Sequence, residues 1–156
     1  MNSPAVKAFG DERIAAGESC LVMDLSECTG MDSTFMGTLA GMAARIAAHE
    51  GSVFQIAGSN DRNRRSLEDL GLDFLMEINP PSAVWHGMEE VIRSKLKPPQ
   101  APGALGQTQR ARHVLDAHIT LTGINDKNAS DFKEVVTLLE NELAGKEKLA
   151  PADEAK

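Results

Sequence analysis

Apolar and polar positions follow two rhythms along this chain, and the switches between them mark out its elements. Ser3-Pro4 predicts a helix start, with Ser3 as N-cap and Pro4 at the first helical position. Val6, Ala8, Phe9 and Ile14 then recur at roughly helical spacing, and Gly17 ends the run. The continuous apolar run Leu21-Val22-Met23, flanked by Ser19-Cys20 and Asp24-Leu25, reads as a strand buried on both faces. The polar stretch from Ser26 to Asp32, with Gly30, reads as a loop. Ser33 to His49 is a helix rich in Ala, Met and Leu that stops at Gly51. Ser52 to Ala57 is a second strand, Gly58-Ser59-Asn60-Asp61 is turn chemistry, and Arg64 to Leu70 is a short helix closed by Gly71. Phe74 to Ile78 reads as a third strand. Asn79-Pro80-Pro81 punctuates, and Ser82 caps a helix expected from about Ala83 to Leu96.

Strands alternating with helices predict an α/β architecture with parallel strands. In such sheets functional sites gather beyond the carboxyl ends of the strands, where the loop from Ser26 to Asp32 lies. Residues 1–96 form this unit. A Pro- and Gly-rich linker follows at 97–107, beginning Lys97-Pro98-Pro99. Two further helical patterns make a C-terminal hairpin at 108–145. The first, from Thr108 to about Thr122, carries Ala111, Val114, Leu115, His118 and Leu121 on one broad face. The second carries Phe132, Val135, Val136, Leu139 and Leu143 at an i, i+3, i+4, i+7, i+11 spacing, with Gly145 as its stop. Two short helices bury little alone, so the hairpin is expected to dock. Residues 146–156 read as a disordered tail.

Composition narrows the function. With 156 residues and 42% hydrophobic content the chain has material for one ordinary core. A formal charge of −7 excludes a whole-chain basic footprint for nucleic acid or an anionic membrane. The 4% aromatic content argues against a base-stacking platform. The apolar stretch from Leu39 to Ala48 is broken by Arg45 and falls short of the roughly 18 residues of a membrane span. The first residues carry no secretory pattern. Two cysteines make no disulfide framework, which points to a reduced, cytoplasmic setting.

Three blocks carry a family likeness. The first runs Leu21-Val22-Met23-Asp24-Leu25-Ser26, then Met31-Asp32-Ser33-Thr34-Phe35-Met36-Gly37-Thr38-Leu39. The second is Val53-Phe54-Gln55-Ile56-Ala57-Gly58 before an Arg-rich helix start. The third is Leu67-Glu68-Asp69-Leu70-Gly71-Leu72 with Asp73-Phe74-Leu75-Met76-Glu77-Ile78 behind it. In this order they resemble the STAS family of anti-sigma factor antagonists, over roughly residues 3–96. The resemblance implies a sheet of mostly parallel strands flanked by helices. The family's usual opening strand pair does not precede the first helix here: either the start is truncated or the sheet lacks an edge hairpin, and a missing hairpin would leave an edge able to pair with another copy and allow a homo-oligomer. Phe35 stands where the family usually has Gly, and the hairpin lies outside the family pattern.

The resemblance also implies chemistry. Ser33 would be phosphorylated by an anti-sigma factor that is also a serine kinase, with Thr34 as a secondary acceptor. The partner-binding surface would draw on Asp24, Ser26, Asp32, Ser33, Thr34, Phe35, Met36, Gly58 and Asn60. The protein itself would need no cofactor and no metal, because ATP and magnesium belong to the kinase. Ser33 reads as the N-cap of its helix. A phosphate there adds about −1.5 to −2 charges, which a helix N-terminus favours by about 0.3–1 kcal/mol and which Asp32 and Glu27 oppose. The plainer reading of Asp32-Ser33-Thr34 is a helix cap and nothing more. A non-switching STAS scaffold or sensory module is the alternative function.

Other residues carry less. Arg62, Arg64 and Arg65 read as a solvated basic face. His49, His86, His113 and His118 show no metal spacing. A catalytic pairing of Ser33 with His49 or His86 lacks a Gly-x-Ser-x-Gly elbow, so no enzyme is expected. Asp126-Lys127-Asn128 begins like a calcium loop, but Asp131 and Thr137 stand where Gly and Glu are required, and Asn128 with Asp131 reads as a cap. Cys20 and Cys28 read as inert thiols, Cys28 the more exposed. Leu39, Met42 and Ile46 form a core-facing stripe.

Overall fold

The computed structural model describes residues 2–97 and 103–149. Helix α1 (Ser3–Ala15) leads into strand β1 (Cys20–Asp24), helix α2 (Ser33–Ala47) and strand β2 (Val53–Ala57). Helix α3 (Asp61–Asp69), a 3-10 turn (Leu72–Phe74), strand β3 (Glu77–Ile78) and helix α4 (Glu89–Lys95) follow. The C-terminal part holds α5 (Gln107–Thr122), α6 (Asp126–Asp131) and α7 (Lys133–Leu149). The described strands form one parallel sheet in the order β1-β2-β3, with Cys20 opposite Val53, Asp24 opposite Ala57 and Gln55 opposite Glu77. The α/β class with parallel strands, expected from the pattern, is what the chain adopts.

Helix α2 is the centre of the molecule. Ten of its fifteen residues are buried, on nearly every side, as a helix apolar all round requires. It packs on β2, on α1 and on α5, and α5 in turn packs on α7. Glycines set these approaches. A Cβ at Gly10 would lie 2.3 Å from the Met42 methyl, and one at Gly37 would lie 2.2 Å from the backbone oxygen of Ala117. Leu39, Met42 and Ile46 join Phe54, Ile56, Leu67, Leu72 and Leu121 in one core, so the expected stripe does face inward.

Several local expectations are corrected. Strand β1 is not buried on both faces: Leu21 faces the core, while Val22 is 41% exposed and Cys20 and Asp24 are open. It is an edge strand of the described sheet. The third strand shrinks from Phe74–Ile78 to two residues. Gly71, at φ 73°, closes α3 and turns Leu72 into the core, and the 3-10 turn that follows leaves Phe74 89% exposed. The helix expected from Ala83 starts only at Glu89. Turns bonded from Ala83 to Pro80 and from His86 to Ala83 fill the gap, and Gly87 at φ 83° prevents their joining α4. Helix α3 begins at Asp61, three residues early, because Asn60 caps it by accepting from the Asn63 amide at 2.8 Å.

The hairpin docks on α2, and its second arm is broken. Asn125, not Asn128, caps the first piece, accepting from the Asn128 amide at 2.8 Å. Phe132 ends α6, and α7 then runs through Gly145 to Leu149. Gly145 is therefore no stop, and Lys146–Leu149, read as tail, are helical. Most of the expected linker and tail, 98–102 and 150–156, lies outside the described residues.

Candidate functional site

The cap at α2 decides what Ser33 does. Ser33 is not the N-cap. Asp32 holds that place, with extended backbone (φ −91°, ψ 169°) and a carboxylate oxygen that accepts from the Phe35 amide at 2.8 Å. Asp32 thereby satisfies one of the orphan donors of the helix start. Ser33 becomes the first helical residue, and its hydroxyl is free to leave the helix. It meets His118 of α5: Ser33 Oγ lies 2.8 Å from His118 Nε2. At the N-terminus Ser3 is displaced in the same way, because Asn2 caps α1 and the Ser3 hydroxyl sits 3.1 Å from His113 Nε2.

The hydrogen bonds fix the roles at Ser33. His118 Nδ1 lies 2.7 Å from the carbonyl of Val114. A carbonyl only accepts, so Nδ1 carries the proton. In the neutral imidazole Nε2 is then a bare acceptor, and the Ser33 hydroxyl is the donor. Phe132 stands edge-on against the imidazole, ring centres 5.7 Å apart. His118 is only 5% exposed, and Ser33 and Thr34 are half-buried. A serine that donates to a histidine held at its far nitrogen has the bonding of a nucleophile and base. Yet two hollows, of about 230 Å³ and about 40 Å³, lie elsewhere: one is lined by Ala43, Phe54 and Phe74, the other by Lys7, Thr38 and His113. Neither reaches Ser33.

The remaining predicted surface residues fall into two groups. Asp24, Ser26, Gly58 and Asn60 gather where β1 and β2 end. The Asp24 carboxylate accepts from the Ser26 amide at 3.0 Å and from Arg93 Nε at 2.8 Å. Partial burial pushes that carboxyl up, but the bonds from Arg93 and Ser26 outweigh it and hold it below the ordinary range. Gly58, at φ 65°, lies against Ser26 so closely that a Cβ would come within 2.9 Å of the serine side chain. Asn60 Nδ2 donates to the Cys28 carbonyl, as does Asn63, the latter at 2.7 Å. Phe35 and Met36, by contrast, lie inside the core at 3% and 9% exposure. They are placed as packing residues of α2, not on a free face.

The other candidates sort quickly. Arg62, Arg64 and Arg65 are exposed, and Arg64 pairs with Glu68 at 3.3 Å. His49 and His86 make no hydrogen bond to Ser33; His86 faces Glu89 at 3.6 Å. Cys20, not Cys28, is the more exposed thiol, and burial beside Glu77 pushes its pKa up, away from reactivity. Among the described residues no three His, Cys, Asp or Glu side chains could hold a metal ion, and no helix is long and apolar enough to cross a membrane.

Sequence reasoning singled out Ser33 but not its partner. His118 was legible only as one member of an apolar helix face. The signal for the contact was Gly37 on α2, where the backbone of Ala117 comes close.

Residues 1–77 match the family described as Mlab, STAS domain, and this part of the chain is a STAS domain. No curated protein and no solved structure matches the chain.

Proposed function

We propose that the chain is a protein-binding STAS module of the anti-sigma factor antagonist type, in which the hydroxyl of Ser33 is the controlled group. The observation that carries the reading is the position of Ser33. It is the first residue of α2, just beyond the loop that leaves β1, and its hydroxyl is not used as the helix cap because Asp32 has taken that place. The partner is an anti-sigma factor or related serine kinase that supplies its own ATP and magnesium. A phosphate on Ser33 adds about two negative charges beside Asp32. A partner surface shaped for a neutral hydroxyl then loses affinity tenfold for each 1.4 kcal/mol of mismatch, and a desolvated dianion costs more. The N-terminus of α2 favours the charge, although α5 packs over the same place. Thr34 is the secondary acceptor, and its carbonyl is engaged by Thr38 at 2.8 Å. The exposed group of Asp24, Ser26, Gly58 and Asn60 is the second half of the binding surface. We place the module in the cytoplasm, where such kinases act.

The rival reading is a scaffold that binds without switching. The observation in its favour is the hairpin itself, which covers Ser33 with α5. Affinity capture from the native cell separates the two. Baits carrying wild-type Ser33, Ser33→Ala and Ser33→Asp are compared by mass spectrometry. The switch reading expects a kinase-type ATPase that is retained by wild type and Ser33→Ala and lost from Ser33→Asp. Equal capture by all three baits supports the scaffold and overturns the switch.

A further inference from the structure

We propose that the C-terminal hairpin is a lid in cis over Ser33, latched by the hydrogen bond from the Ser33 hydroxyl to His118 and unlatched when that hydroxyl is modified. The inference rests on the reading of Ser33 given above and adds how access to it is governed.

The latch follows from the proton inventory. Val114 fixes a proton on His118 Nδ1, so in the neutral imidazole Nε2 offers only a lone pair. The one proton between Nε2 and Ser33 Oγ belongs to the serine. In phosphorylation by a nucleoside triphosphate, an Oγ–P bond forms and the bond from phosphorus to the leaving diphosphate breaks. The hydroxyl proton goes to the kinase's base. Afterwards Oγ is an ester oxygen with no proton, and it faces a lone pair at 2.8 Å. The hydroxyl's hydrogen bond is lost, and a phosphoryl group must be housed between α2 and α5. No space receives it, because α2 and α5 touch backbone to side at Gly37 and Ala117 one turn further on, and Phe132 backs the imidazole.

Past α5 the side-chain hydrogen bonds to the STAS domain converge on one oxygen, while Ile124 and Phe132 pack against the core. Asn128 Nδ2 donates to the Leu70 carbonyl at 2.9 Å and Asn125 Nδ2 donates to the same oxygen at 3.4 Å. Gly71 leaves room for this clamp, since a Cβ there would come within 2.9 Å of Asn125. Among the described residues the side-chain hydrogen bonds from α5 to the domain are hydroxyl contacts, Ser33 to His118 and Ser3 and Thr38 to His113, beside the buried apolar contacts of Leu115, Ala117 and Leu121. No ion pair among the described residues ties α5 to α2; the pair formed by Arg112 joins α5 to Glu147 of α7, within the lid. The lid therefore holds together as a unit and meets the kinase site through one latch. A kinase reaches Ser33 only when α5 is lifted, and a phosphate keeps it lifted.

Hydrogen exchange on the full chain tests this without kinase or partner. Wild type is compared with Ser33→Glu, His118→Ala and His118→Gln, the last retaining an acceptor at that site. We expect Ser33→Glu and His118→Ala to speed amide exchange in α5 by about tenfold or more, while β1 and β2 stay protected. We expect His118→Gln to behave as wild type. Unchanged exchange of α5 in Ser33→Glu overturns the lid. So does a joint rise in α5 and both strands, which would make the hairpin a fixed part of the core. A loss of α5 protection in His118→Gln equal to that in His118→Ala overturns the latch. Because no partner is present, these outcomes are independent of whether Ser33 is modified in the cell, which capture and phosphosite mapping decide.

Discussion

Replacing Gly37 by alanine sets two known effects against each other. In a helix interior, alanine is favoured over glycine by about 0.5–1 kcal/mol. At Gly37, however, the added methyl would lie 2.2 Å from the Ala117 oxygen, 2.7 Å from its carbonyl carbon and 3.0 Å from its Cα. All three are backbone atoms, which a rotamer change cannot move. Ordinary contact begins near 3.4 Å, so α2 and α5 must part by about 1 Å. Overpacking of this kind costs about 1–3 kcal/mol. The same shift stretches the Ser33–His118 bond from 2.8 Å beyond useful length, losing about 0.5–1.5 kcal/mol more. Net of propensity, Gly37→Ala should destabilise by about 1–3 kcal/mol, lowering the melting midpoint by roughly 3–10 °C for a chain of this size. Gly145→Ala is the internal control: nothing lies within 4 Å of its added carbon, so propensity acts alone and it should stabilise by about 0.5–1 kcal/mol. Urea unfolding followed by circular dichroism measures both. If Gly37→Ala is as stable as Gly145→Ala, α5 does not rest on α2 as described.

Three further predictions use other parts of the structure. Burial, with Lys7 nearby, lowers the pKa of His113 against the opposing pull of Asp116. The unfolded chain therefore binds this proton first, so stability is complete above the unfolded value near 6.5 and is lost as pH falls through the folded one; His113→Gln should flatten the slope of urea midpoint against pH between about 7 and 5. Asn128 is fully buried and donates to Leu70, so Asn128→Ala should cost about 1–3 kcal/mol, read in the same urea titration. The Arg93–Asp24 pair at 2.8 Å is more than a third exposed on both sides, so Arg93→Ala should lower the urea midpoint only slightly and the loss should shrink in added salt.

What the sequence made legible was the alternation of elements. Leu21–Asp24 and Val53–Ala57 are strands, Ser33–Ala47 is a helix, and the STAS likeness of these blocks meets its counterpart in the matched residues 1–77. Errors gathered where two local signals compete. At Asp32-Ser33 and Asn2-Ser3 two good caps stand side by side, and in both the carboxylate or amide took the cap and released the serine. At Gly71 and Gly87 a left-handed residue cut short a strand and a helix that hydrophobic content alone would extend. At Phe132 an apolar stripe continued across a helix break, because periodicity does not register a single residue that turns the axis. The hairpin's resting place was not legible at all. The contact between Ser33 and His118 spans 85 positions, and only folding brings those residues together. Phe35, which departs from the family pattern, was expected near a partner; its place in the core follows from α2 being enclosed on several sides.

The most direct test of the account is phosphosite mapping of the intact protein isolated from its native cell across growth conditions. The account predicts a fraction carrying a single phosphate on Ser33, varying with condition, and showing faster exchange in α5 than the unmodified fraction. Persistent absence of phosphate from Ser33, with the protein held in a stable complex throughout, would contradict it and leave the scaffold reading in its place.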